Sequence, residues 1–143
     1  MSQLKEIRAS LEVGFPEGAL PEAFARFQGK QMRSIGALAE FPYEDGQFDV
    51  VMMQSGVVSA KAVREAHRVL RQDGRLLFTV PERTQKQNGY TLPDIYSIVR
   101  DGFDITEVTR PAWWFFGSRG RTISICATKK AWKMVTNTYR PYV

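Results

Sequence analysis

Apolar residues in this chain fall into runs of two kinds. From Phe48 to Met53 the sequence reads Phe-Asp-Val-Val-Met-Met, apolar without alternation, which suits a strand covered on both faces of a parallel sheet. Arg75 to Val80 reads the same way. Between them Val63, Ala66, Val69 and Leu70 recur at helical spacing along one face. Lys61, Arg64, Glu65, Arg68 and Arg71 fall on the outer side, with Lys61 and Glu65 spaced for an i to i+4 pair. Ser59 stands where an N-cap belongs, and Gly74 offers the left-handed residue that ends such a helix. Strand, helix and strand in that order predict a right-handed βαβ crossover, the unit around which the rest is arranged.

Downstream, Pro93 suits the first turn of another helix, with Ile95, Ile98 and Val99 facing inward and Gly102 at its end. Phe103 to Thr109 and Arg121 to Lys129 alternate apolar and polar residues, with Ile123, Ile125 and Ala127 on one side, and read as strands. The wholly polar run from Glu82 to Gly89 reads as a mobile surface loop.

Composition narrows the class. A chain of 143 residues holds one domain with one sizeable core; residues 1–10 read as a lead-in and 131–143 as a tail without firm periodicity. An apolar share of 43% and an aromatic share of 12% belong to a folded globular protein. No apolar run is long enough to span a bilayer and the N-terminus lacks the core of a signal peptide, so an intracellular, cytoplasmic location is expected. A single cysteine, Cys126, excludes an internal disulfide, and a single histidine, His67, leaves no Cys/His cluster for zinc. Cys126 is expected to be a small strand residue rather than a nucleophile, and His67 to be structural. The formal net charge of +5 permits an anionic partner such as RNA, although the basic residues are scattered.

The one concentrated surface signal is aromatic. Trp113, Trp114, Phe115 and Phe116 lie together between Pro111 and Gly117, with Arg119 and Arg121 close by. Such a set can anchor a protein partner or stack bases if it is exposed. Alternatively, two of the four rings pack beneath the sheet.

Two segments carry a resemblance. Phe41-Pro42-Tyr43-Glu44-Asp45-Gly46-Gln47-Phe48-Asp49-Val50-Val51, followed by Arg64-Glu65-Ala66-His67-Arg68-Val69-Leu70 and Asp73-Gly74-Arg75-Leu76-Leu77, resembles the second half of class I S-adenosylmethionine (SAM) dependent methyltransferases of the small-molecule, type 11-like kind. The resemblance implies an α/β, Rossmann-like fold, a mostly parallel sheet closed by a C-terminal antiparallel hairpin, in a single domain over residues 1–143. Leu11-Glu12-Val13-Gly14-Phe15-Pro16-Glu17-Gly18 then resembles the family's first strand and glycine-rich loop, and Pro21 to Phe27 its first helix. Glu12, Gly14 and Gly18 match the motif, but Pro16 replaces the middle glycine. Proline fixes φ and donates no hydrogen bond, and Glu17 sets a negative charge near the expected position of a methionine carboxylate.

Further departures make the N-terminal half look reduced. Only Gln28 to Ser34 separates Phe27 from Ile35, too short for a strand plus a crossover helix, so the second strand, its ribose-binding acid and the following helix are expected to be missing. Ala37 stands where the family's adenine-contacting aspartate would be. Gln54 and Ser55, after the next strand, could face a ligand or cap the following turn, and Asp49 is expected to be structural.

Three functions follow. The first is a methyltransferase-like domain with a degraded SAM site, non-catalytic and acting through a protein partner, RNA or a second copy of itself. The second is an active SAM-dependent methyltransferase with an atypical or partner-completed pocket, using Glu12, Gly14, Gly18, Ala37, Gln54 and Ser55 to hold SAM. The third is a basic RNA-binding module.

Overall fold

The computed structural model describes residues 7–15, 22–36, 38, 40–85, 87–110 and 122–131. They form one sheet of six strands in the order β2-β1-β3-β4-β6-β5. The strands are β1 (Ala9–Val13), β2 (Gln31–Ile35), β3 (Phe48–Met53), β4 (Leu70–Pro81), β5 (Phe103–Thr109) and β6 (Thr122–Lys129), and the helices are α1 (Ala60–Val69) and α2 (Leu92–Val99). Strands β1 to β4 run parallel, and β6 is antiparallel to both β4 and β5. The expected parallel sheet with a closing hairpin is therefore the observed one.

The unalternating run at β3 is buried at every position because the sheet is covered on both faces there. On one face Leu11, Val13, Val51, Met53, Leu76, Phe78, Ile123 and Ile125 meet Ala62, Val63, Ala66 and Val69 of α1 and Ile95 and Val99 of α2. Burial of each large side chain in such a layer stabilises the fold by roughly 1.5–3 kcal/mol. The opposite face holds a smaller cluster, in which Val50, Met52, Leu77 and Cys126 meet Phe24 and Phe27. Those two phenylalanines come from a 3₁₀ helix, Glu22–Phe27, where the sequence predicts an amphipathic α-helix.

The caps follow the sequence closely. Ser59 accepts a hydrogen bond from the Ala62 N–H at 3.1 Å. Thr91 and Asp94 form a reciprocal capping box ahead of α2, with Pro93 in its first turn. Replacing Ser59 or Thr91 by alanine is expected to cost about 1 kcal/mol each, read as a fall in the urea midpoint at unchanged slope.

Two expectations are corrected. The second strand is present: β2 pairs parallel to β1 from Ala9↔Gln31 to Val13↔Ile35. Its residues are almost all exposed, so it carries no alternation that could announce it, and backbone pairing alone makes it a strand. Gly74 does not end α1. The helix stops at Val69, Leu70 is already extended, and the left-handed residue is Asp73, with φ 65°. The polar Glu82 to Gly89 segment carries hydrogen bonds of its own, with the Thr84 N–H donating to the Gln87 carbonyl and the Tyr90 N–H to that of Pro81.

Candidate functional site

In a sheet of this order, β1 connects outward to β2 while β3 connects the other way to β4, so the sheet reverses direction between β1 and β3. Crevices for ligands open at the carboxyl ends of the strands at such a point. Here the Gly14 N–H donates to the Ile35 carbonyl at 2.8 Å and the Gln54 N–H to the Val13 carbonyl at 2.9 Å, tying together the ends of β2, β1 and β3.

Gly14 sits at φ +84°, and a Cβ built on it would lie 2.8 Å from Val57 Cγ1. Both the backbone angle and the packed Val57 therefore demand glycine at this position. Gln54 caps the short 3₁₀ helix Ser55–Val57, its side chain accepting from the Gly56 N–H at 2.7 Å. Ser55 opens that helix, its carbonyl accepting from the Val58 N–H. The capping alternative is thus observed for Gln54.

Glu12 is different. It lies near the end of β1, opposite Ser34 on one side and Met52 on the other, with 9% of its surface exposed. Among the described residues no hydrogen bond or ion pair reaches its carboxylate. Gly18 and Ala37, the other expected cofactor contacts, lie outside the described residues, as do Trp113, Trp114, Phe115, Phe116, Arg119 and Arg121. The structure brings Glu12, Gly14, Gln54 and Ser55 to one region. The end of β2, Ile35-Gly36, supplies no acid there.

Residues 40–47, which lead back towards β3, are held down by a clamp on α1. Glu65 Oε1 accepts from the Phe41 N–H at 2.8 Å, and Arg68 donates to the carbonyls of Phe41 and Tyr43, both at 2.8 Å, and to Asp45 at 2.9 Å. The Arg68 guanidinium holds the Glu65 carboxyl below its usual range, outweighing the opposing effect of burial. Solvated outer-face charges are the sequence expectation for these two residues. No periodicity could have shown that they grip a neighbouring loop.

Asp49 is structural, as expected. Its Oδ2 accepts from the Arg8 and Ala9 N–H groups at 2.7 and 3.1 Å, and its Oδ1 from Arg71 at 2.7 Å. His67 is structural too, with Nε2 2.7 Å from the Lys130 carbonyl and its ring edge-on to Phe103. Cys126 is a buried strand residue whose thiol is pushed up by burial, which suits packing and not attack on a substrate.

Two cavities lie away from the reversal point. One, of about 540 Å³, runs along the face opposite α1 and is lined by Phe24, Phe27, Leu77, Ile125 and Cys126, with Arg26 and Glu107 also lining it. The other, of about 620 Å³, is basic and lies at the opposite edge of the sheet. Among the described residues no helix is long and apolar enough to cross a membrane and no acidic, cysteine and histidine cluster could hold a metal.

The reversing sheet, flanked by α1 and α2 on one face, defines a Rossmann-like α/β domain whose switch point lies at the ends of β1 and β3. Residues 11–78 match the model of the methyltransferase domain family. Among curated proteins none matches the chain in sequence. Solved structures do match. A SAM-dependent methyltransferase of Methanosarcina mazei superposes at a TM-score of 0.60 and 13% identity, over 87% of this chain and 93% of that one. One from Aquifex aeolicus gives 0.62 at 14% identity, over 88% and 84%. One from Thermotoga maritima gives 0.59 at 20% identity, over 89% and 84%. Over residues 11–78 the chain is thus similar to the methyltransferase domain family, and its fold is that of these SAM-dependent methyltransferases.

Proposed function

We propose that this chain is a reduced methyltransferase-family domain that has given up ordinary SAM binding and works through a partner. The observation that carries this reading is the position of β2. It is the outermost strand, exposed along almost its whole length, and its end supplies no carboxylate to grip ribose hydroxyls. In the resembling family that acid, with a following helix, walls the nucleoside half of the crevice. Here residues 40–47 are instead fastened down to α1 by Glu65 and Arg68. In this reading the aromatic run Trp113 to Phe116, with Arg119 and Arg121, supplies contacts to a protein partner, because large rings beside arginine are the side chains that most often dominate interfaces.

A second reading, an active methyltransferase with an atypical pocket, is favoured by Glu12. A carboxylate this buried with no protein partner among the described residues has room for a donor from a ligand, since leaving it unpaired is costly. In-line methyl transfer relies heavily on positioning the nucleophile against the sulfonium, so a conspicuous general base is not required.

Calorimetric titration of the full chain with SAM and S-adenosylhomocysteine decides between them. The proposed reading predicts no heat of binding up to millimolar ligand. Micromolar binding that falls about tenfold in Glu12→Gln, the loss of one charge-assisted hydrogen bond, would establish the second reading instead.

A further inference from the structure

The basic cavity lies at the edge of the sheet where the parallel strands begin, opposite the edge with the family's crevice. It is lined by Arg64, His67, Arg68, Leu70 and Arg71 from α1 and the start of β4, and by Lys129 from the end of β6, with Asp45 and Glu65 the acidic groups. Both acids are engaged by Arg68, at 2.9 Å each. Arg71 uses one guanidinium nitrogen on Asp49, and Lys129 uses its ammonium on the Leu70 carbonyl. The remaining donors of Arg71 and Lys129 have no protein acceptor among the described residues.

We propose that this cavity binds a phosphate-bearing small molecule, with Lys129 and Arg71 as the charged donors and Arg64 at its rim. A half-buried ammonium with no carboxylate in ion-pair contact among the described residues, beside a guanidinium with donors to spare, matches the oxygen-rich dianion of a phosphate. The volume suits a ligand up to nucleotide size. The charged lining is net positive, with Arg64, Arg68, Arg71 and Lys129 against Asp45 and Glu65; burial lowers the His67 pKa against the Lys130 carbonyl, and Lys129 and Arg64 lower it further. The Lys129 ammonium is itself depressed by burial, only partly offset by Asp45. This inference does not rest on the reading of the SAM crevice, because Glu12, Gly14, Gln54 and Ser55 do not line this cavity.

The test is an NMR titration of the full chain with pyrophosphate at constant ionic strength, following the ring of His67, which feels the charges of Lys129 and Arg64 and bonds the Lys130 carbonyl, with Arg68, Arg71, Asp45 and Glu65 lining the same cavity. Saturable binding is expected, with the His67 pKa rising as bound anion offsets its cationic neighbours. Lys129→Gln should weaken binding about tenfold, Arg64→Gln should weaken it less, and Arg33→Gln on β2 should leave it unchanged. Orthophosphate saturating as well as pyrophosphate would identify a free anion as the ligand, and tighter binding of ADP a phosphorylated organic molecule. No saturable change at His67 in the unsubstituted chain would overturn the proposal, as would equal weakening by Arg33→Gln and Lys129→Gln, or a response to polynucleotide alone.

Discussion

Asp49→Ala is expected to cost the fold about 3–4 kcal/mol, because it strips acceptors from two backbone N–H groups and leaves a guanidinium without its partner. The Asp49 side chain is only 3% exposed, while Arg71 is 50% exposed. The ion pair itself therefore contributes little, being screened by water on one side. The weight falls on the Arg8 and Ala9 N–H donors, which fasten the start of β1 beside β3. Asp49→Asn keeps one side-chain oxygen, which can still accept from both N–H groups, and loses the charge and the oxygen that faces Arg71, so it should lose roughly half as much. Chemical denaturation monitored by circular dichroism measures both.

The same residue predicts an acid signature. Burial on its own would raise the Asp49 pKa, but the Arg8 and Ala9 N–H groups and Arg71 together outweigh it and hold the carboxyl below its ordinary value of 3.8. A folded-state pKa below the unfolded one means the unfolded chain binds the proton more readily. The contribution is therefore complete above pH values of about 4 and disappears as pH falls through the depressed folded-state value. In Asp49→Asn this part of the pH dependence should vanish. If acid unfolding of the two proteins ran parallel, Asp49 would not be the group responsible.

Gly74→Ala should be the second costly change, at about 2–3 kcal/mol. A Cβ there would lie 2.8 Å from the Arg71 carbonyl oxygen, 2.9 Å from Leu70 Cδ2 and 3.1 Å from the Asp49 carbonyl oxygen. Two of those neighbours are backbone and cannot swing away. Its neighbour gives the opposite result: Asp73 occupies the left-handed region at φ 65°, which glycine adopts without steric cost. Asp73→Gly should be neutral or stabilising by less than about 1 kcal/mol, the relief of strain being partly offset by greater freedom of the unfolded chain. Equal losses from the two substitutions would mean that crowding at Gly74 is not what selects glycine.

Gly74 also shows how far the sequence could be read. Glycine after a helical run is the ordinary mark of a helix end, and pattern alone does not reveal that α1 stops at Val69 and that the chain is extended from Leu70. The buried elements were legible because burial on both faces or one face writes itself into composition: β3, β4, α1, α2, β5 and β6 all follow their apolar patterns. Strand β2 was not, since Gln31, Met32, Arg33 and Ser34 are exposed and the strand is specified by pairing with β1. In the candidate site, the capping role of Gln54 was among the readings the sequence allowed. The isolation of Glu12 was not, because whether a carboxylate finds a donor depends on what the sheet stacks over it.

The exposure of β2 bears on how molecules of this chain meet one another at high concentration. A strand with one unpaired margin is a template on which another chain can hydrogen-bond. Here the strand is short, and Lys30 and Arg33 place positive charge along it, with Met32 its one large apolar side chain in the open, at 42% exposure. Two such margins brought together would set like charges face to face. Charge of one sign at Arg33 on both molecules would disfavour such edge-to-edge pairing, and Arg33→Val is expected to favour it.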